Sequence, residues 1–374
     1  MEKRLFSAPG RVEIGGNHTD HQHGPVLAAA VDLEVKCTAS PNDTNTINIE
    51  NKQYGSLCIS LDNLDMQPDE KETTSAVIRG VAAWFSKHGH KIGGFDAEIS
   101  STIPVGAGLS SSAAFEVLIG NVFKGLYGAD VTALDIALAG KFAENVYFGK
   151  PCGLMDQAAS SFGGLNLIDF ADPESTIVTP INAELPGYMM CVVETGGSHA
   201  DLTAEYAAIP GEMKQVANYF GFDYLNDVPV EMFNTGLSDL RKAKISDRAI
   251  LRSIHFFNEC TRVRAQAAAL REGKISEFLN LVNESGRSSL AYLQNVLIPS
   301  SPEEQGLTLA LALSEKLLSG RGAWRVHGGG FAGTILAFLP CDLKDEYKKQ
   351  MSIVFGESSC HFVNVRQLGG TELL

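Results

Sequence analysis

No glycine-rich turn in this chain of 374 residues is followed by Gly-Lys-Ser or Gly-Lys-Thr. That absence excludes the Walker type of phosphate loop, so any nucleotide would have to be held by another design. The seven cysteines are scattered, odd in number and never spaced Cys-x-x-Cys. They fit reduced thiols, not a disulfide frame or a zinc site. Positive charge is short: 30 Lys and Arg stand against 44 Asp and Glu, for a net charge of −14. Such a balance argues against a general nucleic-acid or anionic-membrane surface, although it leaves room for a local basic pocket. No apolar run is long enough to span a bilayer, and none follows the opening Met-Glu-Lys-Arg-Leu-Phe. The expectation is therefore a cytoplasmic protein. No repeat of fixed period and no low-complexity tract is found.

What is present reads as an ordinary globular composition, 44% hydrophobic and 20% charged. The length suggests two domains, and the loop beginning at Asp172-Pro173 places the division near residue 175. Ala8 to Ile14 and Val26 to Cys37 read as strands around a polar loop. Ile47 to Ile49, Leu57 to Leu61 and Phe95 to Ser100 follow as strands, with a helix over 73–87. Helices are predicted over 111–126, 132–147 and 154–162, the last stopped by Gly163-Gly164. Strands are predicted at 165–170, 189–194, 324–326, 334–338 and 361–366. The remaining helices fall near 246–272, 274–292, 302–318 and 343–353.

The richest stretch for chemistry is Pro104 to Ala114, with Gly106, Gly108 and the serines Ser110, Ser111 and Ser112. It lies between a strand and a helix. Glycines allow a close backbone approach, and the helix start offers unpaired N–H groups and the positive end of a dipole, which together suit phosphate. A plain Gly-Ser turn with a serine cap is the bland alternative. Other candidates are weaker alone. Arg11 and Asp20 flank a polar loop and could be a surface ion pair. His18, His21 and His23 invite a metal reading, but no remote cysteine or carboxylate motif completes a ligand set, so solvated loop histidines are the better reading. Asp156 and Gln157 stand near the start of a short helix, and Glu144 lies on the helix before it. Glu144 gains interest as a hard oxygen ligand only beside a real phosphate loop. His327 to Thr334 is a second glycine-rich segment, either a simple turn or a wall that lets another backbone come close.

Taken together, the motifs resemble the GHMP small-molecule kinases, and within them the galactokinases. Gly10-Arg11-Val12 with Gly16-Asn17-His18-Thr19-Asp20 is similar to the family's sugar signature. Pro104 to Ala114 is similar to its Gly-Leu-Ser-Ser-Ser-Ala phosphate loop, and His327 to Thr334 to its C-terminal glycine-rich motif. Gly153-Leu154-Met155-Asp156-Gln157 resembles the segment with the catalytic aspartate. The resemblance runs from about residue 8 to 338. It implies an α+β fold of two domains, residues 1–175 and 176–374, with a ribosomal-protein-S5-like first domain, a ferredoxin-like second domain and the active site in the cleft between them. It implies ATP and Mg²⁺ as cofactors and galactose as the sugar phosphorylated at C1. It also implies small-molecule partners only, with no nucleic acid, no membrane and no obligate protein partner. In this resemblance Asp156 is the base and Arg11 its cationic partner. Gly106, Ala107, Gly108, Leu109, Ser110, Ser111 and Ser112 cradle the ATP phosphates. Ser112 and Glu144 hold the metal. Asn17, His18, Thr19, Asp20, Gly153 and Tyr206 bind the sugar.

Two departures bear on the substrate. Galactokinases usually carry Glu where this chain has Asn17, near the sugar's C6 hydroxyl, and Glu13 also departs from the commoner pattern. Asn can both donate and accept, so galactose remains the better reading, with galacturonate or another C6-altered sugar as the alternative. The stretch Thr73 to Val77 lacks the aromatic residue that often faces adenine, and no adenine contact is assigned. A non-catalytic sugar- and ATP-binding regulator on the same fold would have an altered phosphate loop, whereas Ser110 to Ala114, Asp156, Arg11 and Glu144 stand intact.

Overall fold

Two long strands, β1 (Arg4–Gly15) and β2 (Val26–Pro41), pair antiparallel and form the spine of a first sheet. The computed structural model describes residues 2–51, 55–104, 106–172, 175–197 and 202–373. Val105 of the phosphate loop and Pro173 of the expected division lie outside the described residues. Strands β3 (Thr46–Asn51) and β4 (Gly55–Ser60) form a hairpin, and α1 (Thr74–Lys87) leads to β5 (Phe95–Ser101). Helices α2 (Ser111–Tyr127), α3 (Ala133–Phe142) and α4 (Met155–Phe162) follow, then β6 (Leu165–Asp169) and β7 (Ile177–Pro180). The second half runs β8 (Tyr188–Glu194), α5 (Thr203–Tyr219), α6 (Val230–Lys242), α7 (Asp247–Arg271), α8 (Ile275–Ser288) and α9 (Gly306–Leu318). It closes with β9 (Ala323–His327), β10 (Thr334–Pro340), α10 (Lys344–Phe355), β11 (Cys360–Val363) and β12 (Thr371–Leu373).

The first sheet has the order β12-β1-β2-β5-β3-β4, with β6 and β7 joined to it through β2. Among the described residues only β3 and β5 pair parallel. The second sheet is antiparallel, in the order β11-β8-β10-β9. The largest core lies on the first sheet, where Phe85, Phe95 and Phe123 from α1, β5 and α2 are fully buried with ring centroids 5.6 Å apart. Each such ring contributes about 1.5–3 kcal/mol by leaving water. The last residues return to the first sheet, with Leu373 opposite Leu5 and an Arg4–Glu372 ion pair beside them. No helix among the described residues is long and apolar enough to cross a membrane.

Three local irregularities position the site. In β1 the pairing with β2 slips between Pro9 and Arg11 and again between Glu13 and Gly15. Pro9 has no N–H to give the ladder, and such bulges re-aim the side chains between them. The helix expected over 132–147 is regular only to Phe142, and residues Ala143–Phe148 form a π turn. Gly80 of α1 lies against it so closely that a Cβ there would stand 2.7 Å from Ala143. The helix expected over 274–292 likewise ends in a π turn, Ser289–Leu293. Helices α5 and α6 and strands β7 and β12 are additions to the sequence reading. Pro210 interrupts the pattern of α5, and α6 buries only Phe233 and Leu240, too thin a stripe to announce a helix.

Candidate active site

Arg11 reaches from the bulged stretch of β1 to the first turn of α4. Its Nε donates to Asp156 Oδ1 at 2.7 Å and its Nη2 to Oδ2 at 2.8 Å, a two-point ion pair. Its Nη1 donates to the Gly108 carbonyl at 2.6 Å, so one guanidinium ties strand, helix and phosphate loop together. Arg11 is buried, whereas the Asp156 side chain keeps 32% of its surface open. Burial by itself raises the Asp156 pKa. The Arg11 charge and hydrogen bonds from Arg11 and Ser110 outweigh it, and the carboxyl sits below the usual aspartate range.

The phosphate loop is pinned by Ala107 and Leu109, both buried. Gly106, Gly108 and Ser110 alternate with them and have φ of 83°, 69° and 54°. Ser110 stands at the cap position of α2 but does not cap it; its hydroxyl donates to Asp156 Oδ2 instead. No side chain caps α2, and free N–H groups at a helix start suit an anion. The second glycine-rich segment, the β9–β10 turn, closes against this loop. A Cβ on Gly108 would stand 2.5 Å from Thr334 Oγ1. His327 Nε2 accepts from the Glu13 amide at 3.1 Å, so its proton sits on Nδ1, 3.1 Å from Thr334 Oγ1. This segment is therefore a wall against the loop and not a bare turn.

Glu144 lies on the first π turn and is almost fully buried. Its Oε2 accepts from Gln157 Nε2 at 3.0 Å, and its Oε1 from Lys150 Nζ at 3.3 Å. The same Gln157 amide donates to Glu116 Oε2 at 2.9 Å. Burial and the neighbouring Glu144 push the Glu116 carboxyl well up. Ser112 is exposed one helical turn before Glu116, and no hydrogen bond among the described residues joins it to Glu144. The donors here are hard oxygens, and Glu116 Oε1 and Gln157 Oε1 are buried with no hydrogen-bond partner among the described residues. No group of three or more His, Cys, Asp or Glu among the described residues forms a cage. This donor set fits Mg²⁺, which takes one or two protein oxygens and completes its shell with water and phosphate.

The sugar-signature loop is folded inward at its start. Asn17 is fully buried, and its Nδ2 donates to Glu13 Oε1 at 3.0 Å and to the Gly328 carbonyl at 2.7 Å. Its Oδ1 accepts from Ser289 Oγ at 3.2 Å and Asn295 Nδ2 at 2.8 Å. All four valences of the amide are used. Thr19 is also fully buried, and its hydroxyl lies 2.9 Å from the Gly16 carbonyl and 2.7 Å from that of Pro25. In this arrangement the side chains of Asn17 and Thr19 both hold the loop itself. His18 Nε2 donates to the Gly329 carbonyl at 2.8 Å, which leaves Nδ1 as a buried acceptor with no partner among the described residues. Burial, with His21 nearby, brings the His18 pKa down to about 3. Asp20 faces Gly153, where a Cβ would stand 2.3 Å from Asp20 Oδ2. Tyr206 donates from its hydroxyl to the Gly330 carbonyl at 2.8 Å and packs edge-on against Phe331. His23 stacks on Tyr224, away from His18 and its Gly329 contact.

Residues 1–41 match the galactokinase galactose-binding signature, and residues 76–164 match the GHMP kinases N terminal domain. The chain is similar to the solved galactokinase of Lactococcus lactis complexed with galactose, with a TM-score of 0.84 and 24% identity, over 100% of this chain and 95% of that one. The fold is that of the GHMP kinases. This GHMP kinase fold is shared with the mevalonate kinase of Methanococcus jannaschii, at a TM-score of 0.66 and 14% identity over 97% and 98% of the two chains. It is shared also with a D-glycero-D-manno-heptose 1-phosphate kinase from Bacteriodes thetaiotaomicron, at 0.62 and 18% over 100% and 99%.

On this GHMP kinase frame the structure brings together Arg11, Gly108, Ser110 and Asp156, and beside them Glu144 through Gln157. Sequence reasoning passed over the buried Glu13–Arg325 ion pair, at 2.7 Å, which joins the two sheets behind Asn17. A signal was present for one partner. Glu13 is two residues from Arg11 on a strand, hence on the same face. Arg325 carried none, because only the fold brings β9 to β1.

Proposed function

We propose that the chain is a sugar kinase that uses ATP to phosphorylate the C1 hydroxyl of galactose, giving galactose 1-phosphate and ADP. The observation that carries this reading is the Asp156 carboxylate, held ionised by Arg11 and Ser110 at the mouth of the phosphate loop. In this reading the sugar and nucleotide meet in the cleft between a 1–175 domain and a 176–374 domain. Gly106 to Ser112 receive the phosphates. Asp156 accepts the proton of the C1 hydroxyl as its oxygen bonds to the γ-phosphorus. The bond from the γ-phosphorus to its bridging oxygen breaks, and ADP leaves. Arg11 neutralises charge on the transferring group and keeps Asp156 ionised, which also makes it a weak base that acts late. Ser112 and Glu144 would hold Mg²⁺, which supplies charge neutralisation on the phosphates when bound.

Asp20, Gly153, His18 and Tyr206 remain as the sugar-facing candidates. Gly153→Ala should drive the Asp20 carboxylate away and raise KM for the sugar by about tenfold or more, with the melting temperature little changed. Unchanged KM would remove Asp20 and Gly153 from the sugar site. A second reading, a sugar altered at C6 such as galacturonate, comes from the sequence, where Asn17 stands at the position that galactokinases usually fill with Glu. ADP release with ATP-Mg²⁺ and galactose, galacturonate, glucose, N-acetylgalactosamine or arabinose separates the two. Turnover on galactose at least about tenfold above galacturonate is expected. The opposite order would transfer the assignment to the acid, and no turnover on any sugar would favour a binding protein.

A further inference from the structure

Glu144 has both oxygens engaged, but the two partners differ in kind. Gln157, on Oε2, is fully buried and tethered at the same time to Glu116. It has no path out of the way. Lys150, on Oε1, keeps 64% of its side chain exposed and carries the ammonium on a flexible four-carbon stem. Its backbone is fixed at the same place, because the amides of Gly149 and Lys150 both donate to the Glu144 carbonyl, at 3.0 and 3.1 Å. The loop is braced again where the Cys152 amide donates to Asn145 Oδ1 at 2.6 Å. Lys150 is therefore a movable cation on a fixed mount, paired with Glu144. Its charge is close enough to Asp156 to help hold that carboxylate ionised.

We propose that Lys150 is a placeholder cation: it occupies Glu144 Oε1 in the metal-free protein, yields that oxygen to a divalent cation, and then turns its ammonium to the phosphates of the nucleotide. This rests on the kinase reading above and deepens it. Glu144, almost fully buried beside Glu116 and close to Asp156, would be costly to leave ionised without a cation of its own. A lysine solves this without a permanent block, since its own side is exposed and a long single contact of 3.3 Å is readily exchanged. The released ammonium stands at the loop mouth, where charge on phosphate oxygens develops, and a point-like cation suits phosphate there.

Lysine to methionine therefore has effects of opposite sign, which a structural role would not produce. In Lys150→Met, Mn²⁺ alone, followed by electron paramagnetic resonance of the free ion, should bind about two- to fivefold more tightly, because its competitor is gone. The same variant should lose about ten- to hundredfold in kcat/KM for ATP. Lys150→Arg, which keeps the charge, should retain most of the ATP parameter. Tighter Mn²⁺ with unchanged kinetics for ATP would make Lys150 a surface ion pair and overturn the proposal, as would unchanged or weaker Mn²⁺ binding. The kinase reading fails separately: if wild-type protein takes up no Mn²⁺ with or without ATP, the metal role of Glu144 falls and the proposal with it. Mn²⁺ uptake that is lost in Glu144→Gln but indifferent to Lys150→Met overturns only the role of Lys150.

Discussion

Asp156→Asn is expected to lower kcat by about 10²–10⁴-fold, with KM for the sugar changed far less. The asparagine oxygen can still accept one hydrogen bond from Arg11, but it cannot take a proton, and the two-point charge pair is gone. ADP release at saturating galactose measures the effect, and near-normal turnover would remove Asp156 as the base. The acid limb of kcat/KM in the wild type should lie below the ordinary aspartate range, because Arg11 and Ser110 outweigh burial at this carboxyl. The same depression bears on stability. The Arg11 pair contributes fully above the unfolded aspartate pKa, about 3.9, and its contribution is lost as pH falls through the lower folded value. In Asp156→Asn that acid-dependent loss should be reduced, which a denaturant titration at pH 7 and at low pH would register.

The second large effect is expected at Arg325→Met, which should cost about 3–5 kcal/mol of stability. Arg325 is fully buried on β9, and its Nη2 donates to Glu13 Oε1. Burial pushes the Glu13 carboxyl above its usual range, with Arg325 and Arg11 opposing that push. Without Arg325, Glu13 keeps the Asn17 amide as a donor and the more distant Arg11 charge, and a buried carboxylate loses its direct ion partner where two sheets meet. The double variant Glu13→Gln with Arg325→Met should recover part of the loss, since removing both charges removes the unpaired one. Equilibrium unfolding in urea measures both. A single-variant loss under about 1 kcal/mol would place the pair among interactions of little net worth.

The glycine-serine loop between β5 and α2 was legible because its geometry is local. Two glycines, three serines and the helix that follows are contiguous, and their angles and exposed N–H groups arise from neighbours in the chain. The strands β1, β2, β5 and β10 were legible through their apolar character, and most helices through their period. Helix α5 was hidden by Pro210, and β12 is three residues long and exists because β1 offers it an edge. The π turn that carries Glu144 has the same residue pattern as a continuing α-helix. It is set by the close packing of Gly80 on Ala143, residues 63 positions apart by their numbering.

Asn17 marks the boundary between the two kinds of information. From the sequence it stood beside a sugar signature, and its substitution for the usual Glu read as a change in the sugar pocket. In the fold it turns inward and is saturated by Glu13, Gly328, Ser289 and Asn295. An amide four residues from a buried carboxylate finds partners that no spacing rule names, because they come from β1, the β9–β10 turn and the segment after α8. The sequence alone determined which residue types could bind phosphate and accept a proton, since a side chain carries its chemistry wherever it stands. Only the tertiary structure decided which of them face one another. Ser110 abandons its helix for Asp156, Lys150 stands on Glu144, and Arg325 meets Glu13, because hydrogen bonds and ion pairs act over about 3 Å between residues that the chain separates by 46, 6 and 312 positions.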